Sequence, residues 1–204
     1  MSTGRRAGRP PGAPQPRREQ LIALTIELVG AEGYGAATLG RVAERAELSK
    51  ASVLHHVGSV SSLLDAAYEQ VLSAMVSEVG AAVEAARPTA RPRAYITALV
   101  GHFRTHPQHT RVAIEALTRR GPSGQSRQRW APLAQLLAEA RAAQGMNAQE
   151  ETTAQEDLRT AALAVGGAID AIVAEHHEDP TYDSARAAQQ LASAVERTVT
   201  ARPE

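Results

Sequence analysis

Along most of this chain the apolar residues recur at intervals of three and four, and nowhere do they alternate singly between hairpin turn signals. The first pattern marks one face of an α-helix, whereas the missing one would mark a half-buried strand. An all-α fold is therefore expected. A first helix from about Arg17 carries the stripe Leu21, Ile22, Leu24, Ile26, Leu28 and Val29, and Gly33 and Gly35 end it. Thr38 can cap a short second helix with Leu39, Val42, Ala43 and Ala46 on its apolar face. After a turn at Glu47 and Leu48, Ser49 can cap a third helix, Lys50 to about Val57. Gly58 and Ser59 stop it, and a long fourth helix is predicted over about 60–86. Further helices fit about 92–106, 108–118, 126–144, 153–177 and 183–201. The domains expected are a flexible basic arm at 1–16, a compact three-helix head at 17–60 and a larger helical body at 61–204.

Composition excludes several classes. With 43% hydrophobic and 22% charged residues the chain is not disordered, and with no cysteine it has no disulfide framework, thiolate zinc site or cysteine nucleophile. The first eighteen residues hold five arginines and hardly an apolar side chain, unlike a secretory signal, so a cytoplasmic location is expected. The longest apolar stretch, Ala161 to Ala174, is broken by Asp170 and falls short of the roughly 18 residues a membrane span needs. No Gly-rich phosphate loop, G-x-S-x-G elbow or convincing metal triad appears, so neither an enzyme nor a cofactor is expected. The net charge is zero, but residues 1–58 hold eight bases against five acids. The surplus at the front suits an arm that follows a phosphate backbone.

Two short helices around a tight turn, the second opening on small polar residues, are the arrangement of a helix-turn-helix DNA reader. The second helix must enter a major groove about 12 Å wide, so its outer face needs short or flexible polar side chains while its inner face stays apolar. Ser49, Lys50, Ala51, Ser52, His55 and His56 suit the outside, and Val53 and Val57 the inside. An ordinary helical hairpin in a core would satisfy the same pattern.

The run from Gly35 to Val57 (GAATLGRVAERAELSKASVLHHV), continuing into Leu63 and Leu64, resembles the signature of the TetR family, and the likeness covers about 17–68. The resemblance implies a homodimeric transcriptional regulator, typically a repressor, that binds palindromic operator DNA and is released by a small-molecule effector. It implies base-edge and sugar-phosphate roles for Lys50, Ala51 and Ser52, positions near the DNA backbone for His55 and His56, a DNA-facing place for Ser49, and a phosphate-facing helix start at Thr38 and Arg41. The chain departs from the family pattern at Glu47, where glycine is common in the turn, and at Leu54 and Val60, where tyrosine and lysine commonly touch phosphate. Arg5, Arg6 and Arg9 can replace those anchors, since Gly8-Arg9-Pro10 resembles a minor-groove hook; a solvated tail is the alternative. If the anchors are not replaced, the chain reads as a helical effector-binding or protein-interaction dimer without sequence-specific DNA binding.

In the body, Tyr95, Phe103 and Trp130 fall in the region where, by the resemblance, the family keeps its effector; with Met75, and with His102 and His106 as polar points, they are expected to border that cavity or simply to fill the core. A His-x3-His pair such as His102 and His106 can hold zinc or copper, but no third ligand stands at a convincing spacing, and no metal is expected. The last two helices carry long stripes of small and apolar residues, among them Leu163, Gly166, Gly167, Ile169, Asp170, Val173, Leu191 and Val195. By resemblance these form the homodimer's four-helix bundle; packing within one chain is the alternative.

Overall fold

Prolines start the first helix and a glycine ends it. In the computed structural model, which describes residues 14–120, 125–144 and 151–200, α1 spans Pro14–Glu32 and so begins inside the expected arm. A first turn tolerates proline because its amides have no helical partner in any case. Gly33, at φ 84°, turns the chain into a 3-10 turn, Tyr34–Ala36. Hydroxyl caps open the next three helices. Thr38 Oγ1 accepts from the Arg41 amide at 3.3 Å to open α2 (Leu39–Arg45), and Ser49 Oγ accepts from the Ser52 amide at 3.1 Å to open α3 (Lys50–Val57). Ser59 Oγ accepts from the Ser62 amide at 3.0 Å and opens α4 (Val60–Ala85). Leu21 and Leu28 of α1, Val42 of α2, Val53 of α3 and Leu63 of α4 meet in the core of the head. Thr25 is buried among them, with its hydroxyl donating to the Leu21 carbonyl at 2.8 Å.

Past a 3-10 turn at Pro88–Ala90 come α5 (Arg91–Thr105), α6 (Pro107–Arg120), α7 (Gln125–Ala142), α8 (Glu151–Glu178) and α9 (Ser184–Thr200). No strand occurs among the described residues, and none of their helices is long and apolar enough to cross a membrane. α5 is the axis of the body. Its buried Ile96, Leu99 and Val100 pack into a second core with Trp130, Leu133, Ile169 and Val195. Arg93 binds Glu196 of α9 with two nitrogens, one at 2.7 Å, and Arg91 meets Glu139 of α7 at 2.8 Å.

α6 joins the two cores. Its Val112 is buried in the head, and a Cβ built on Gly30 of α1 would fall 2.5 Å from Gln108 Cβ and 2.8 Å from Gln108 Cα. Only glycine permits so close a crossing. Beside it the Tyr34 amide donates to Glu115 at 2.7 Å, and Arg111 donates both to the Ala31 carbonyl at 3.1 Å and to Glu115 at 3.0 Å.

Candidate functional site

Val53 and Val57 anchor α3 in the head core, which leaves Lys50, Ala51, Leu54 and His55 exposed and Ser52 and His56 half-buried. The outer face is thus short and polar apart from Leu54, which is 40% exposed. Lys50 extends across α2, since a Cβ on Gly40 would meet its Cε at 3.1 Å. Ser49 and Thr38 spend an oxygen lone pair on their caps, and neither is buried. Arg41 lies half-buried in a two-pronged pair with Glu32 at 2.6 Å for each arm, with Arg45 at 3.8 Å from the same carboxylate. The Arg41 guanidinium holds Glu32 below the ordinary carboxylate range. Arg5, Arg6 and Arg9 lie outside the described residues.

The turn between α2 and α3 closes in the left-handed conformation despite lacking glycine. Glu47 has φ 55°. Its amide donates to the Glu44 carbonyl at 3.1 Å, and the Leu48 amide reaches back to the Ala43 carbonyl at 2.9 Å. These are the two bonds of a Schellman ending, with Glu47 in the place that glycine usually takes.

In the body, α4, α5 and α7 surround a cavity of about 670 Å³. Met75, Tyr95, Phe103 and Trp130 line it, as does Val79. Arg129 is the only charged lining residue among those described, and it is committed: both guanidinium arms reach Asp170 of α8, at 2.8 and 2.5 Å. Burial raises the Asp170 carboxyl above its ordinary range, more than Arg129 lowers it. Pro132 inside α7 has no amide to donate to the Gln128 carbonyl one turn earlier, and both residues line the same cavity.

His102 and His106, expected at this cavity, are not part of its lining. His102 is fully buried with its Nδ1 2.7 Å from Glu78 Oε2 and its Nε2 3.0 Å from His109 Nδ1, so its ring is held between α4 and α6. His106 Nε2 lies 3.3 Å from the other oxygen of Glu78. The His102 ring draws the Glu78 carboxyl below its ordinary range, while burial, with His102 and His106 nearby, lowers His109 to about 4. Sequence reasoning missed Glu78 because it stands 24 residues before His102 and no local pattern marks it.

Residues 21–67, the head and the beginning of α4, match the family model for bacterial regulatory proteins of the tetR family. The head resembles that of TetR-family regulators. HTH-type transcriptional regulator BetI 1 of Chromohalobacter salexigens is 35% identical over 88 residues, which cover 43% of each chain. The matched segment therefore spans less than half of that relative. Over most of their lengths the likeness is one of fold. A TetR-like transcriptional regulator from Rhodococcus sp. RHA1 has a TM-score of 0.71 at 20% identity, covering 91% of this chain and 97% of its own. FadR from Bacillus subtilis, solved with stearoyl-CoA, has a TM-score of 0.66 at 13% identity, covering 87% and 96%.

Behind the TetR-type head, the small-residue stripes of α8 and α9 divide between two faces. Leu163 is 38% exposed, and a Cβ on Gly167 would meet nothing within 4 Å. Gly166, by contrast, is buried, with the place of its missing Cβ 2.3 Å from the Trp130 ring, and Ile169 and Val195 are buried in the chain's own core. Val173 and Leu191 pack half-buried on that core, and Asp170 holds Arg129. Successive helix residues point about 100° apart, so the Gly166-Gly167 doublet cannot serve one face.

Proposed function

We propose that the chain is a ligand-responsive transcriptional regulator, a repressor that binds palindromic operator DNA as a homodimer and is released when a small molecule enters the body cavity. The observation that carries this reading is the continuity of α4. Leu63, Leu64, Ala67 and Val71 of that helix sit in the head core, while Met75, Val79 and Val83 line the cavity. A ligand pressing on the second half displaces the first, and with it the angle at which α3 meets the groove. The exposed face with Leu163 and Gly167 is the surface on which two copies would pack so that two heads reach successive half-sites.

The chemistry of the cavity narrows the effector. A volume of about 670 Å³ suits a drug-sized molecule. Its walls are chiefly apolar, and its one charged lining residue among those described is neutralised by Asp170. We infer an uncharged apolar or aromatic effector that reaches a few polar handles, Tyr95 and Gln135 among them, rather than a carboxylate or phosphate compound.

The test joins DNA and ligand. Lys50→Ala and Ser52→Ala are expected to weaken operator binding, by roughly 1 to 3 kcal/mol where a base contact is lost and less for a phosphate contact. A panel of neutral aromatic compounds is expected to release DNA and to shift the emission of Trp130, the chain's single tryptophan, at the same concentrations. Salt-independent, feeble DNA binding by the wild type would instead favour a receptor dimer that no longer reads DNA.

A further inference from the structure

Glu78 of α4 meets His102 and His106, which stand one turn apart at the end of α5. One potential ligand atom from each lies within 4.8 Å of the others. We propose that these three residues bind a single divalent transition-metal ion of the zinc type, which fastens α4 to the corner between α5 and α6. The donor set is the first reason. Two imidazoles and one carboxylate suit zinc, cobalt or nickel, whereas calcium and magnesium ask for oxygen ligands throughout.

Geometry is the second reason. Bonds of about 2.0 to 2.1 Å in a tetrahedral site place neighbouring ligand atoms about 3.3 Å apart. His106 Nε2 and Glu78 Oε1 already stand at 3.3 Å. His102 Nδ1 and Glu78 Oε2, at 2.7 Å, are held by a hydrogen bond that an entering ion replaces, with the proton leaving Nδ1 and the neutral ring carrying its single proton on Nε2. The ring centroids of His102, His106 and His109 lie 4.9 to 5.1 Å from one another. A buried ion-pair partner for Glu78 would require only one of these rings.

The surroundings fit a metal centre as well. With Nδ1 of His102 on the ion, its Nε2–H points at His109 Nδ1, 3.0 Å away, and that outer hydrogen bond fixes the ring's tautomer and orientation. His102 supplies the dry side of the site, being fully buried. His106 and Glu78, with side chains 37% and 47% exposed, give the ion an entry path and leave room for a water as fourth ligand. The site is separate from the effector cavity yet shares its walls, because Val79 and Phe103, the sequence neighbours of Glu78 and His102, face the cavity.

Metal-stripped full-length protein titrated with zinc chloride in a calorimeter is expected to take up one ion per chain and to melt at a higher temperature. With cobalt it is expected to show the intense visible bands of a four-coordinate site. Glu78→Gln and His106→Gln, both at partly exposed positions, are expected to weaken zinc binding at least about 100-fold, and His109→Ala about 10- to 100-fold, as loss of an outer partner does. His176 and His177, the other histidine pair of the body, serve as the control: His176→Gln combined with His177→Gln is expected to bind as the wild type does. Stoichiometry well below one, unaltered affinity in both Glu78→Gln and His106→Gln, or loss of the ion in the His176/His177 control would each overturn the site.

Discussion

The head and the body solve the same packing problem with different materials. The head closes chiefly on aliphatic side chains, Leu21, Leu28, Val42, Val53 and Leu63 among them, and its polar groups are spent on helix caps and on exposed pairs such as Arg41 with Glu32. The body closes around Phe103 and Trp130, leaves a cavity of about 670 Å³, and draws His102 into its interior and Asp170 half into it. A tightly filled aliphatic core keeps a reading helix in one orientation. A core with a void and polar pairs gives up contacts in return for a place where a ligand or an ion alters the packing. The two are joined through α4 and α6, the route by which, in the function proposed above, occupancy in the body would reach the orientation of the head.

The largest break expected comes where the two regions touch. Gly30→Ala sets a Cβ 2.8 Å from the Gln108 Cα, and since backbone cannot rotate aside, α1 and α6 must part. A loss of about 2 to 3 kcal/mol is expected. Calorimetry checks it: the variant is expected to melt in two steps as head and body uncouple, where the wild type melts in one. A single transition at the wild-type temperature would mean that α6 does not bind the head firmly.

That contrast also explains what the sequence made legible. Thr38, Ser49 and Ser59 cap by bonding an amide three residues on, and Leu39, Val42, Ala43 and Ala46 repeat within a single helix, so the head is written in local spacings. The order and type of the body helices follow from the same periodicity. Their mutual contacts do not, because Glu78 meets His102 across 24 residues, Arg129 meets Asp170 across 41, and Arg93 meets Glu196 across 103. Hence the sequence left open whether the body's aromatics line a cavity or fill the core, and it carried no sign of the carboxylate partners of the neighbouring histidine and arginine. The Gly166-Gly167 doublet reads as one small surface in sequence, yet in space each glycine serves a different helix face.

A medium effect separates those two glycines and sharpens the comparison inside the body. Gly166→Ala drives a Cβ into the Trp130 ring, but a ring beside a cavity can yield, so the loss is expected to be about 1 to 2 kcal/mol, with a shift in tryptophan emission. A Cβ at Gly167 meets nothing within 4 Å, and replacing an exposed helical glycine removes its entropic cost, so Gly167→Leu is expected to stabilise the single chain by about 0.5 to 1 kcal/mol. If the outer face of α8 is the homodimer contact, light scattering will instead find the Gly167→Leu protein monomeric at concentrations where wild type is a dimer. Equal dimerisation by both would move the interface off this face.

The smallest effect is expected in the head, and it is a gain. Glu47 holds φ 55°, where a residue with a Cβ is penalised by about 1 to 2 kcal/mol. Glycine escapes that penalty but loses about 0.5 to 1 kcal/mol more conformational entropy on folding, so Glu47→Gly is expected to stabilise the chain by about 0.5 to 1 kcal/mol. For a chain of this size that raises the melting temperature by about 2 °C. The Schellman bonds from Glu47 to Glu44 and from Leu48 to Ala43 survive the change, because glycine keeps both amides. Glu47→Gln separates backbone from charge. It retains the left-handed strain and removes the carboxylate that stands beside the reading helix, so it is expected to leave the melting temperature unchanged while tightening operator binding at low salt. Glu47→Gly is expected to do both. A lower melting temperature for Glu47→Gly would show that the glutamate side chain contributes more to the turn than its left-handed backbone costs, and the strain at this position would then not be what sets the head's stability.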